Sequence, residues 1–121
     1  MPFLTLTSDL DQNISAITKA LSEGNVEVLS QYFDNSVEIG VMSDENMYDK
    51  AKAKQVLLSF FAKHKPTSYK IVHQGASKGN DSQYTIGSLV ANGNENYRVY
   101  IYLKSEGNGK YLIQEFRLEK N

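Results

Sequence analysis

The chain contains no cysteine. That excludes a disulfide scaffold, a zinc ribbon and a cysteine nucleophile. It has only two prolines, Pro2 and Pro66, and both fall at expected element boundaries. No apolar run approaches the roughly 20 residues of a membrane span. Neither sign of charge dominates, with 13 basic residues against 14 acidic ones and a net of -1. Such a balance draws a protein neither to nucleic acid nor to an anionic membrane, so neither is expected as a partner. The opening, Met1-Pro2-Phe3-Leu4-Thr5-Leu6-Thr7-Ser8, lacks the basic start and long apolar stretch of a secretory leader. The compartment stays open: as written, the chain reads as cytoplasmic. A periplasmic or cell-envelope location is the alternative if a leader has been removed.

What is present is ordinary globular composition: 121 residues, 40% hydrophobic and 22% charged. A chain of this length makes one domain, spanning 1–121 with a core at about 12–119. It buries roughly two thirds of its unfolded surface and needs no covalent or metal staple. No repeat or low-complexity segment interrupts it.

The first half reads as helical. Ile14, Ile17 and Leu21 recur at three and four, with Ser8, Asp9, Asp11 and Asn13 as candidate caps and Gly24 as the stop. Asn25 caps a short second helix whose buried side carries Val26, Leu29, Tyr32 and Phe33. Asp34-Asn35-Ser36 is a turn, and alternation of Val37, Ile39 and Val41 marks a strand. An acidic loop from Ser43 to Asn46 follows. Asp49 then caps a third helix with Ala53, Val56, Leu57, Phe60 and Phe61 on its apolar side, ended by Pro66. His64 and Lys65 lie near its C-terminus, where positive charge suits the helix dipole. Four strands occupy about residues 67–75, 82–91, 96–105 and 110–119, joined by glycine- and asparagine-rich hairpins. Helices followed by a strand meander predict an α+β fold, with three helices on one face of a curved, mainly antiparallel sheet.

Alternation assigns the strand faces. The expected core face carries Tyr69, Ile71 and His73; Tyr84, Ile86 and Ser88; Tyr97, Val99, Ile101 and Leu103; and Leu112, Gln114, Phe116 and Leu118. The opposite face then carries Arg98, Tyr100, Tyr102 and Lys104 with Tyr111, Ile113, Glu115 and Arg117. Tyrosine and arginine are enriched at protein interfaces. A homodimer through Tyr100, Tyr102, Tyr111, Ile113, Arg98 and Arg117 is therefore expected, with cross-strand aromatic pairing in a monomer as the plainer alternative.

The order of elements and several segments resemble the nuclear-transport-factor-2-like superfamily, a cone of curved sheet around helices. The carrying residues are Phe33-Asp34-Asn35-Ser36-Val37-Glu38, Tyr48-Asp49-Lys50, His73-Gln74-Gly75, Tyr84-Thr85-Ile86-Gly87-Ser88-Leu89, Tyr97-Arg98-Val99-Tyr100 and Ile113-Gln114-Glu115-Phe116-Arg117-Leu118. Together they are similar to an uncharacterised bacterial branch of that superfamily, whose members commonly begin with a signal peptide. The superfamily holds isomerases, dehydratases, cyclases and hydrolases beside carriers and dimerisation modules, so fold does not choose function. Its proton-abstracting members place an acid on the first strand, pointing into the cone. The matching inward residue here is Ile39, while Glu38 has outward parity.

His73 is the best titratable candidate for the interior, as a base or a ligand contact, against the plainer role of a satisfied edge histidine. Ser88 has no acid to complete a triad. His64 and His73 lie nine positions apart with no carboxylate between them, which is not a metal-ligand spacing. Asp44, Glu45 and Asp49 lack the glycine and the ligand count of a calcium loop. No phosphate loop or dinucleotide fingerprint occurs. Lys50, Lys52, Lys54, Lys63 and Lys65 make a solvated helix face. No metal and no cofactor is expected.

The reading these residues favour is a non-catalytic domain that binds a small apolar ligand or a protein. In it His73, Gln114, Tyr69, Tyr97 and Tyr32 supply the polar rim of a ligand site inside the cone. The alternatives are an isomerase, dehydratase or hydrolase with His73 as base, and an interaction module whose cone is filled by its own side chains.

Overall fold

The computed structural model describes residues 9–79 and 81–121, with side chains from residue 12 onward. Expectations resting on Ser8, Asn80 and the side chains of Asp9 and Asp11 lie outside the described residues. Helix α1 (Asp9–Glu23) buries Ile17, Ala20 and Leu21, the 3–4 spacing of an amphipathic face. Gly24, at φ +67°, ends it. Its N–H donates to Leu21 O at 3.2 Å and that of Asn25 to Ala20 O at 2.8 Å, the paired bonds of a left-handed glycine stop. Asn25 Oδ1 then accepts from Val28 N–H at 3.2 Å and starts α2 (Val26–Ser30). Helix α3 (Lys50–Lys63) begins where Asp49 Oδ1 accepts from Lys52 N–H at 2.8 Å, and it buries Ala53, Leu57 and Phe61.

The strands are β1 (Phe33–Val41), β2 (Asp44–Asp49), β3 (Pro66–Ala76), β4 (Ser82–Ala91), β5 (Glu95–Ser105) and β6 (Tyr111–Lys120). They form one sheet in the order β2-β1-β6-β5-β4-β3. Every pairing is antiparallel except β1 with β6, which is parallel and joins the first half of the chain to its end. Helix α1 lies against β3, and α3 against β1 and β2. The side chains beneath them, among them Phe33, Ile39, Tyr97, Ile101, Phe116 and Leu118, are almost wholly buried. Each such large apolar side chain contributes about 1.5–3 kcal/mol by leaving water.

Three expectations need correction. The acidic segment from Ser43 to Asn46 runs into β2, an edge strand in which only Tyr48 is even half-buried. It has no apolar alternation to betray it. Phe33 belongs to β1, and neither it nor Tyr32 lies in α2. Strand faces also differ, because β-bulges reverse parity. In β3, Ile71 pairs with Gly87 but His73 with Ile86, so Val72 is an extra residue and His73 turns to the outer, helix-free face. In β6, Ile113 pairs with Leu103 but Glu115 with Tyr102. Gln114 is the extra residue there. Tyr111 and Ile113 therefore lie in the core while Gln114 points out, the reverse of a uniform alternation. In β4 the inward residues are Gln83, Thr85, Gly87, Leu89 and Ala91, and Tyr84, Ile86 and Ser88 face out. Two polar residues and a glycine on the inner side gave the wrong face the stronger apolar signal.

Gly87 has a specific reason to be glycine. The Tyr69 ring lies directly over it, where a Cβ would collide. The Tyr69 hydroxyl is buried without a hydrogen bond of good geometry. Burial pushes this phenol up to about 12, with the Thr85 hydroxyl offsetting part of the effect. Replacing an unpaired buried hydroxyl by hydrogen removes a desolvation cost. Tyr69→Phe is accordingly expected to leave stability within about 0.5 kcal/mol or to raise it, as read by urea unfolding. A loss above about 1.5 kcal/mol would show a bond that the geometry lacks.

The end of α3 is clamped to the β4–β5 hairpin. His64 N–H donates to Phe60 O at 3.0 Å, and its ring stacks on Phe60 with centroids 4.5 Å apart. Nδ1 lies 2.7 Å from Glu95 Oε1. A carboxylate only accepts, so Nδ1 carries the proton. Tyr97 Oη donates to the same oxygen at 2.9 Å, and Asn92 Nδ2 donates to Oε2 at 3.0 Å. The Asn92, His64 and Tyr97 donors hold the Glu95 carboxyl at about 2, well below its usual 4.5. A depressed carboxyl stabilises the fold fully above its unfolded value and loses that contribution as pH falls through the folded one. Glu95→Gln is expected to lower the urea midpoint at pH 7, with the difference from the parent shrinking from about pH 4.5 and gone near pH 2. A difference independent of pH would rule out the ionised carboxylate as its source.

Candidate functional site

The outer face of the sheet carries one connected line of side chains. His73 Nε2 lies 2.9 Å from Tyr84 Oη. The Tyr84 ring lies over Gly75 and stacks with Tyr100 at 6.2 Å between centroids. The Arg117 guanidinium sits 5.4 Å from the centre of the Tyr100 ring, a cation–π contact. It donates to Glu115 Oε1 from Nη2 at 2.7 Å and approaches Glu45 Oε1 from Nε at 3.6 Å. Gly40 is the β1 residue between Arg117 and Glu45, and a Cβ there would meet their side chains at 3.2 and 3.0 Å. Its bare backbone lets Arg117 reach across β1.

Beside this line a cleft of about 690 Å³ opens between β1 and β6. Its origin is a mismatch in the parallel pairing. Phe33 pairs with Ile113 and Glu38 with Glu115, five steps along β1 against two along β6. The intervening 34–37 segment, of which Asp34-Asn35-Ser36 was read from the sequence as a turn, bows away from β6. The bulge in β6 turns both Gln114 and Glu115 outward toward the opening. Gln114 Nε2 donates to Asp34 Oδ2 at 3.0 Å across it. Tyr100 and Tyr102 form one wall, and Met47 of β2 stands at the rim, 65% exposed.

Glu38 projects into this cleft beside Glu115, while its neighbours Val37 and Ile39 are buried. Outward Glu38 and inward Ile39 match the strand parity. The Glu38 carboxyl is pushed up by partial burial, then by its hydrogen bond with Glu115 and by the charges of Glu115 and Glu45, with Arg117 opposing.

The five residues expected to rim a site inside the cone do not converge. Tyr69 and Tyr97 are buried on the inner face, and the Tyr97 hydroxyl is engaged by Glu95. His73 and Gln114 lie on the outer face, on β3 and β6. Tyr32 sits at the end of α2, where its carbonyl accepts from Ile113 N–H at 2.6 Å. Of the six residues expected on an open sheet face, Arg98, Tyr100, Tyr102 and Arg117 are there, and Tyr111 and Ile113 are in the core. Asp34, Glu38, Met47 and Glu115 were not singled out from sequence as a site. The β1–β2 hairpin sets Met47 opposite Glu38, and the parallel pairing of β1 with β6, strands distant in the chain, brings Glu115 beside them.

Among the described residues, three helices on a curved six-stranded sheet make this a nuclear-transport-factor-2-like cone. A protein of that class from Cytophaga hutchinsonii superposes with a TM-score of 0.66 at 11% identity, over 91% of this chain and 93% of that one. More narrowly, residues 14–119 match the domain of unknown function DUF4783, and the chain belongs to that family. A DUF4783 protein from Bacteroides ovatus is 31% identical, with a TM-score of 0.81 over 88% of this chain and 94% of that one. Another from Bacteroides uniformis is 29% identical, with a TM-score of 0.80 over 88% and 95%. No functionally curated protein matches.

A carboxyl whose value is raised in the folded state costs stability once pH exceeds its ordinary 4.5. Glu38→Gln is therefore expected to raise the urea midpoint at pH 7 and to have no effect well below pH 4.5. Destabilisation at pH 7 would mean that the ionised Glu38 holds the strands together rather than straining them.

Proposed function

We propose that this domain is a non-catalytic binding module whose working surface is the outer face of its sheet, with the β1–β6 cleft as its ligand site. The observation that carries the reading is the bow of β1 away from β6, which opens a walled cleft on that face. The inside of the cone supports it from the other side. Phe33, Tyr97, Leu57 and Phe116 are packed there with 2% exposure or less. That packing argues against a small apolar molecule held in the interior. The isomerase, dehydratase or hydrolase alternative needs His73 inside the cone. It lies instead on the outer face, exposed and bonded to Tyr84, where it lines an open hollow of about 500 Å³ with Lys70, Ser88 and Arg98.

A homodimer through the same face is the second reading. Tyr84, Ile86, Tyr100 and Tyr102 offer a half-buried apolar centre. The charges around it are divided, with Asp34, Glu38 and Glu45 on β1 and β2, and Lys70, Arg98 and Lys104 on β3 and β5. A two-fold axis along the strands would lay the acidic side of one copy on the basic side of the other, as an isologous interface requires.

The two readings separate in one pair of measurements. For the binding module, an amide-resolved NMR screen of small organic fragments moves resonances of residues 34–38 and 114–115 first, and sedimentation at about 100 μM gives a monomer. Shifts confined to inner-face residues such as Tyr97 and Phe116 would overturn the outer-face site. A dimer dispersed by Tyr100→Glu with unchanged thermal stability would instead establish the second reading.

A further inference from the structure

We propose that the β1–β6 cleft takes an organic cation, an ammonium or guanidinium group on a short apolar stem. The inference rests on the reading of that cleft as the ligand site and names what it holds.

The protein contains its own template for such binding one register step away. There Arg117 lies over the Tyr100 ring and between the carboxylates of Glu115 and Glu45. Along β5 the next outward residue is Tyr102, which pairs with Glu115, and Glu115 pairs with Glu38. A second ring and a further carboxylate, Glu38, thus stand beside Glu115, which the two positions share, but no cation lies over Tyr102 among the described residues. Glu38 makes no ion pair there either. Its carboxylate is half-buried beside that of Glu115, and a bound cation would offset their repulsion.

The cleft also discriminates among ligand classes. Asp34, Glu38 and Glu115 line it, and no lysine or arginine does, so an anion meets three carboxylates and no charge of opposite sign in the lining. A metal ion needs converging ligands, and among the described residues no group of three or more His, Cys, Asp or Glu is placed to hold one. A neutral apolar molecule would cover carboxylates without compensating their charge. An organic cation satisfies both parts of the lining. Its charge meets the carboxylates and the face of Tyr102, and its stem lies on the tyrosine rings and the adaptable thioether of Met47. The volume of about 690 Å³ suits a ligand of amino-acid-side-chain to polyamine size.

The test is NMR titration of the full chain at pH 7 with n-butylammonium, n-butylguanidinium, n-butanol, butyrate and calcium ion. The two organic cations are expected to move the amides of residues 34–38, Met47, Tyr102 and Glu115, with a Kd of about 1–10 mM. Glu38→Gln should weaken them about tenfold and Tyr102→Leu about threefold, with the remaining spectrum unchanged. Equal shifts from butanol, butyrate or calcium would overturn the cation class while leaving the cleft as a binding site. No shift in the cleft from any probe would overturn both. Nα-acetyl-lysine methylamide separates the sources of the cation. Tighter binding than n-butylammonium assigns the cleft to protein side chains, and weaker binding to free amines. Cleft shifts that track dissociation of a dimer would give the cleft to a second copy of this chain and overturn the proposal.

Discussion

The parallel pairing of β1 with β6 is the constraint on which the rest depends. It is the one contact that ties the strand of the helical half into the meander of the second half. Without it β1 and β2 would be a separate hairpin, and α3 would cover two strands in place of a continuous sheet. Parallel strands cannot be joined by a tight turn, so this pairing requires the long excursion through α3 and the meander. The register is imperfect, with five steps on one strand taken up against two on the other. That mismatch bows β1 and produces the cleft. The irregularity is thus a feature of the surface, as bulges near functional sites commonly are.

The inner and outer faces are stabilised by different means. Inside, large apolar side chains are removed from water, and polar groups are clamped at the half-exposed edge and costly where buried. The Glu95 carboxylate receives three donors at the end of α3, whereas the Tyr69 hydroxyl receives no good one. Outside, stabilisation comes from cross-strand contacts that glycines permit. Gly75 admits the Tyr84 ring, and Gly40 admits the arm of Arg117. Such contacts are each worth a few tenths to about 1 kcal/mol, so the outer face can be altered without losing the fold. That freedom, together with an interior filled by side chains, favours function on the outside.

The acidic corner carries an electrostatic cost. Glu38, Glu45 and Glu115 gather around a single guanidinium, that of Arg117, which opposes the rise of the Glu38 carboxyl without cancelling it. A surface selected for stability alone would carry a neutral residue at Glu38. Strain of this kind is met where an external group relieves it.

Sequence alone determined what depends on neighbours along the chain. Both well-formed caps, Asn25 and Asp49, the glycine stop at Gly24, the apolar stripes of α1 and α3, and the outward parity of Glu38 were legible, because each is set within one or two turns of backbone. The α+β cone, with its membership among nuclear-transport-factor-2-like folds, was legible from the order of those elements. The tertiary structure decided everything that rests on registers between distant strands. A bulge at Val72 turned His73 out of the cone, and a bulge at Gln114 exchanged the faces of Tyr111, Ile113 and Gln114. Strand β2 was invisible because an exposed edge strand needs no apolar alternation. One inserted residue reverses every side chain beyond it. No local pattern records whether the partner strand has accommodated that residue, and so the location of the candidate site had to come from the fold.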